Sequence, residues 1–125
     1  MADDLQEEIR KVAERIPGCC YVSLVGYDGI TIDQHIIEAN FDVTLYDAEI
    51  SSVMLASKEV KGHLDLGLEQ ELIWLTQKSF FIIRPIGEDF FIYACLKSTG
   101  SNPGLARLEL NKVKGVISKI IQPET

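Results

Sequence analysis

Two apolar runs, Phe80-Phe81-Ile82-Ile83 and Phe90-Phe91-Ile92-Tyr93-Ala94-Cys95-Leu96, show none of the in-and-out alternation of a half-exposed strand. Short bounded runs rich in aromatic and β-branched residues read as strands, and a strand apolar on both sides needs a covering layer on each face. Cys19 to Gly26 is of the same kind, with Cys20, Val22 and Leu24 on one side and Cys19, Tyr21 and Val25 on the other. A sheet built from such strands has to lie between layers of helix. The 125 residues, 46% of them apolar, suffice for one such domain over residues 1–125 and not for two. A chain of this length buries roughly two-thirds of its unfolded surface, so its core needs neither disulfide nor metal.

The covering helices are legible in the spacing. From Asp3 to Ile16 the apolar residues Leu5, Ile9, Val12, Ala13 and Ile16 recur at threes and fours, and Asp4 with Glu7 has the spacing of a capping box. Pro17-Gly18 ends that helix. Thr44 with Asp47 predicts a second cap, opening a helix to about Asp65. Its apolar residues spread over two faces: Ile50, Val53, Val60 and Leu64 on one, Ala48, Leu55 and Leu66 on its neighbour, Met54 between. Asn102 followed by Pro103 opens the last helix, whose apolar series from Leu105 to Ile121 carries it to Gln122.

Between the helices, Tyr27-Asp28-Gly29 predicts a tight hairpin with positive φ at its Asp-Gly step, leading into a second strand, Ile30 to Ile36. This strand alternates: Ile30, Ile32, Gln34 and Ile36 face one way, Thr31, Asp33 and His35 the other. It suits a sheet edge. Glu71 to Gln77, Phe80 to Pro85 and Asp89 to Leu96 follow as an antiparallel meander. The element order is therefore αββαβββα, an α+β arrangement.

Chain order leaves the first strand free to pair with either end of the meander. If it pairs with the last strand, the sheet order is 2-1-5-4-3, and the strand carrying Leu72, Ile73, Trp74 and Leu75 becomes the other edge. An apolar edge invites pairing with another chain. A twofold dimer would satisfy it, with the two-faced helix packing on its symmetry mate. The interface residues expected from this reasoning are Tyr46, Ile50, Val53, Met54, Ser57, Leu72 and Trp74. The alternative is that Trp74 and its neighbours are covered by the chain's own helices and loops.

Several segments together resemble the roadblock/dynein light chain family, whose bacterial members include the MglB-like regulators. They are the helix ending in Ile16-Pro17-Gly18, the strand running into Tyr27-Asp28-Gly29-Ile30, the long middle helix, the paired strands, and Asn102-Pro103-Gly104-Leu105-Ala106-Arg107 opening the last helix. The resemblance implies a profilin-like five-stranded antiparallel sheet, with two helices on one face and one on the other, in a homodimer sharing a ten-stranded sheet. It also implies a dimeric platform for a small Ras-like GTPase of the MglA type, or an anchor in a larger assembly. Some members of that family accelerate GTP hydrolysis without inserting an arginine finger.

The chemistry-bearing residues point away from an enzyme. His35, His63 and three cysteines stand at no spacing that suggests cooperation, and there is neither a Cys-x-x-Cys nor a His-Glu-x-x-His motif. No catalytic residue, metal or cofactor is expected. Cys19, Cys20 and Cys95 cannot all pair, which reads as a reduced, cytosolic protein. The N-terminal residues are acidic where a signal peptide is basic and then apolar, and no apolar run reaches the ~18 residues of a membrane span. Gly100-Ser101-Asn102-Pro103-Gly104 lacks the Lys-Ser/Thr of a P-loop and reads as a cap. Arg84 and Arg107 are expected to meet carboxylates within the fold.

Twelve basic against nineteen acidic residues leave a net charge of −7, which repels nucleic acid and anionic lipid. The charge is uneven. Between Asp28 and Glu49 lie six acids and neither Lys nor Arg. This segment, through Glu38, Asp42, Asp47 and Glu49, is the expected contact for a basic partner surface, with plain solvation as the alternative. The expected function is a noncatalytic homodimeric regulator or scaffold for a small GTPase; the alternatives are a structural adaptor without a GTPase and a small-ligand sensor domain.

Overall fold

The computed structural model describes residues 2–121, with side chains from Asp4 to Ile121; Gln122, the expected end of the last helix, lies outside the described residues. The elements are α1 (Ala2–Arg15), β1 (Cys19–Gly26), β2 (Thr31–Ile36), α2 (Val43–His63), β3 (Leu72–Leu75), β4 (Ser79–Ile86), β5 (Phe90–Lys97) and α3 (Pro103–Ile121). The five strands form one antiparallel sheet in the order β2-β1-β5-β4-β3. The open choice for β1 is thus settled in favour of β5. The three strands that are apolar on both sides occupy the middle, where both faces are covered.

Each face has its own core. Cys19, Val22, Leu24, Ile82, Ile92, Ala94 and Leu96 meet Leu5, Ile9, Val12 and Ala13 of α1 and Ala106, Leu110, Val113 and Ile117 of α3. Tyr21, Val25, Phe81, Ile83, Phe91, Tyr93 and Cys95 meet Val43, Ile50 and Met54 of α2 on the opposite face. Burying a side chain of this size contributes about 1.5–3 kcal/mol. The doubly covered strands are therefore what holds three helices to one sheet.

Strict alternation misplaces a few side chains. The β1–β5 register shifts between Cys19 and Tyr21, leaving Cys20 as an extra residue. This bulge sends Cys19 to the α1/α3 core and Cys20 to the α2 core, the reverse of the even spacing. A second bulge, between Leu24 and Val25, leaves Ile32 unpaired and brings Thr31 onto the same side of β2 as Gln34. In the β1–β2 turn only Gly29 has positive φ, at 88°. Gly26 N–H donates to Ile30 O at 2.9 Å, so the hairpin has a three-residue loop and not a two-residue one.

The helix ends also differ in detail. α1 begins at Ala2, which places Asp4 inside the helix, and Glu7 accepts a 2.8 Å hydrogen bond from Arg10 in place of closing a capping box. The N-cap of α2 is Asp42, whose Oδ1 accepts from Leu45 N–H at 3.3 Å, not Thr44. That helix stops at His63, where Leu66 N–H reaches Lys61 O and Asp65, with φ 54°, turns the chain left-handed. Asn102 caps α3 as expected, its Oδ1 accepting from Leu105 N–H at 3.0 Å.

Candidate functional site

The middle helix explains what is left open for binding. Its buried residues Val43, Asp47, Ile50, Ser51 and Met54 follow the 4-3-4 rhythm of one helical stripe that ends at Met54. Beyond Met54 it buries nothing. Leu55, Val60, Leu64, Leu66 and Leu68 are all exposed, the last at 86%. The second face read from the sequence, Ala48, Leu55 and Leu66, is thus bare, as are Val60 and Leu64 of the first, and among the described residues nothing covers them.

The β3 edge continues this surface. Leu72 and Trp74 pair with Ile83 and Phe81 and so share the α2 side; Ile73 and Leu75 pair with Ile82 and Phe80 on the other. Trp74 is 43% exposed, with its ring 5.8 Å from that of Phe81. Between α2 and β3 lies an open groove of about 210 Å³ lined by Leu45, Tyr46, Glu49, Ile50, Trp74 and Phe81. Glu49 is its only charged group. Of the residues expected at a dimer interface, Ile50 and Met54 are buried in the chain's own core. Tyr46, Val53, Ser57 and Leu72 are half-buried, and Trp74 is the most open of the set. Among the described residues, helices and loops leave Trp74 43% exposed.

The expected acidic contact divides. Glu38 pairs with Lys97 at 2.9 Å, Asp42 is occupied as the α2 cap, and Glu49 stands on the groove rim. Asp47 is the correction: it is fully buried and cannot meet a partner from where it sits. Its Oδ1 accepts from Tyr93 OH at 2.6 Å, and its Oδ2 accepts from Ser23 Oγ at 2.9 Å and from Thr31 Oγ1. Because Tyr93 spends its one proton on Asp47, Tyr21 OH must be the donor in the 2.9 Å contact between the two tyrosines. Burial pushes the Asp47 carboxyl up, opposed by its three donors. This network ties α2 to β1, β2 and β5. The signal was there to read, since Asp47 falls on the Val43–Ile50–Met54 stripe.

Arg84 and Arg107 both end on one carboxylate. Arg84 Nη2 lies 3.1 Å from Glu71 Oε2 and Arg107 Nη2 lies 2.8 Å from Glu71 Oε1, which ties the start of β3 to β4 and α3. Burial pushes the Cys19 and Cys95 thiols up to about 12, which keeps them protonated and inert. His35 stands 3.6 Å from Glu14, and His63 is exposed at the end of α2. None of these groups converges with another in a cleft. Among the described residues no cluster fit to hold a metal is present, and no helix is long and apolar enough to cross a membrane. What the geometry offers is a surface for binding: an apolar strand edge, a groove beside it and a bare helix face.

A scan against protein-family models and a search of curated proteins gave no match. Solved structures do match. MglB of Myxococcus xanthus superposes with a TM-score of 0.85, over 96% of this chain and 96% of that one, at 15% identity. The roadblock/LC7 domain from Streptomyces avermitilis gives 0.82 over 93% and 96% at 10% identity. MglC from Myxococcus xanthus gives 0.66 over 91% and 96% at 20% identity. The strand order, the helix placement and these superpositions agree: the chain has the roadblock fold, shared with the roadblock/LC7 domain and MglB.

Proposed function

We propose that this protein is a noncatalytic, homodimeric regulator or scaffold in the cytoplasm that binds a small Ras-like GTPase of the MglA type. The observation that carries the reading is the β3 edge, where Ile73, Trp74 and Leu75 are 44%, 43% and 61% exposed. An apolar edge with free backbone groups is a template for a second strand. Antiparallel pairing of β3 with its symmetry mate would extend the five strands to ten and bring the two α2 helices alongside each other. The apolar residues beyond Met54, with Glu49 at the rim, then form a twofold platform of the kind the roadblock resemblance implies for a GTPase.

Two measurements test the two halves of this reading. Light scattering gives twice the 14.0 kDa chain mass, and Trp74→Lys gives the single-chain mass with the circular dichroism of the fold retained. An unaltered mass for Trp74→Lys places the interface elsewhere. An MglA-type GTPase co-elutes with the dimer when loaded with GTP and not with GDP, and Glu49→Lys weakens that complex. Equal co-elution in both nucleotide states leaves a scaffold without nucleotide sensing.

A further inference from the structure

The opposite edge of the sheet carries a second surface. Among the described residues, β2 has no strand on its outer side. Ile37 N–H donates to Cys20 O at 2.8 Å, which makes this an inward-bonded pair. By the alternation of an antiparallel ladder His35 and Asp33 also bond inward, so Gln34 and Ile36 turn their amides and carbonyls outward. The outward amide of Gln34 is held by its neighbour, with Asp33 Oδ1 accepting at 2.8 Å. That of Ile36 has no such cover from its own strand.

The side chains along this edge are unusually apolar for a solvated strand. Ile30, Ile32, Ile36 and Ile37 are 64%, 43%, 38% and 47% exposed. At the hairpin end, Tyr27, Ile30, Ile32 and Phe90 line a notch of about 370 Å³ whose rim carries Asp28 and Asp89. Apart from Lys58, whose Nζ stands 4.5 Å over the Tyr27 ring and donates to Glu88 O, the neighbouring charges not held in ion pairs are acidic. Lys97 is taken by Glu38 and His35 stands against Glu14, leaving Asp28, Asp33 and Asp89. A second copy of this edge would bring acids against acids, which disfavours self-pairing.

We propose that β2 is a docking edge that takes up, as a sixth strand, an extended segment of a partner protein in which apolar and basic side chains alternate. Backbone pairing to Gln34 and Ile36 gives the strand its grip, and the isoleucines receive alternate apolar side chains. A Lys or Arg in the notch between Asp28 and Asp89 fixes register, and Asp33 exchanges the Gln34 amide for a basic side chain of the incoming strand. The edge lies across the sheet from β3, so the proposal does not depend on the dimer.

The test uses a synthetic hexapeptide alternating valine and lysine, N-methylated on every second amide so that one edge alone can pair, with the glutamate analogue as control. The lysine peptide is expected to bind about tenfold more tightly than the glutamate peptide and to slow hydrogen exchange at the Ile36 amide. Ile32→Lys with Ile36→Lys, both at exposed positions, weakens it about tenfold, whereas Trp74→Lys leaves it unchanged. Equal affinity for the two peptides, protection confined to β3, or no binding by the lysine peptide overturns the proposal. So does a loss of oligomer mass in the Ile32→Lys/Ile36→Lys variant, which would make the occupant a second copy of the chain.

Discussion

Replacing Asp47 with leucine should be among the most damaging single changes on the α2 face, although it swaps a buried charge for a buried hydrocarbon. Three hydroxyls converge on the carboxylate, from Ser23, Thr31 and Tyr93. Thr31 is half-exposed and can turn to water, but Ser23 and Tyr93 are fully buried. Each buried hydroxyl left without an acceptor costs about 1–3 kcal/mol, and the apolar replacement recovers part of this. A net loss of about 3 kcal/mol is expected for Asp47→Leu. At a urea dependence of about 1.5 kcal/mol per M, the unfolding midpoint falls by about 2 M. Asp47→Asn is milder, about 1 kcal/mol, because its carbonyl keeps Ser23 and Thr31 while its amide drives the Tyr93 proton round to Tyr21. Urea titration followed by far-UV circular dichroism reads both. An Asp47→Leu midpoint within 0.3 M of the parent, or an asparagine variant as damaged as the leucine one, would refute the assignment of Asp47 as an acceptor hub.

Burial raises the folded pKa of Asp47 above the ordinary aspartate value, so the folded state holds the proton more tightly than the unfolded one. The proton-linked part of its contribution is complete below the unfolded value and fades as pH rises through the elevated one, while the three hydroxyl hydrogen bonds remain with the ionised carboxylate. Titrating unfolding from pH 7 toward 4 should therefore widen the gap between the parent and Asp47→Asn in the parent's favour; a constant gap contradicts the sign. Glu71→Ala strands the half-buried Arg84 guanidinium and costs about 2 kcal/mol, whereas Arg107→Ala, at a largely exposed side chain, moves the midpoint far less in the same urea titration. Gly29→Ala forces a Cβ into a residue at φ 88° and within 3.2 Å of Ser51 Oγ, and should cost about 1–2 kcal/mol, read as a lowered midpoint. Cys19 and Cys95 should react with a chromogenic disulfide at pH 8 only at the rate of unfolding; prompt labelling of either would show that burial does not protect it.

The layers were legible because the signal behind them is crude and strong. Strands such as Phe90 to Lys97, apolar on both sides, can sit only where helices cover both faces, and that places β1, β4 and β5 centrally before any register is known. Bulges escape this reasoning. One extra residue at Cys20 and another at Ile32 reverse the faces of Cys19, Cys20 and Thr31, and nothing in their side chains announces the insertion. Asp47 escaped for a different reason: three residues after a threonine its spacing fits a cap, and local capping competes with the tertiary stripe for the same letter. The stripe prevailed because the hydroxyls of Ser23, Thr31 and Tyr93 gather from three separate strands, a convergence invisible to any local window.

The two sheet edges show how side-chain charge decides what an exposed strand can join. Both present apolar residues to water, and backbone hydrogen bonding alone would let either pair with any extended chain. At β3 the residues Leu72 to Leu75 carry no charge, and the nearest acid, Glu71, is neutralised by two arginines. Like meets like there without penalty, which suits a symmetric interface. Along β2, Asp28, Asp33 and Asp89 would face their own copies, and each opposed pair of acids costs a few tenths of a kcal/mol or more in addition to its lost hydration. Neutralising β2 should erase this difference. Asp28→Asn, Asp33→Asn and Asp89→Asn together, made in the Trp74→Lys background, should allow β2 to pair with itself and return mass to the single chain. If that variant stays at 14.0 kDa at high concentration, charge is not what distinguishes the two edges, and the twist or the α1 cover of β2 must be doing so.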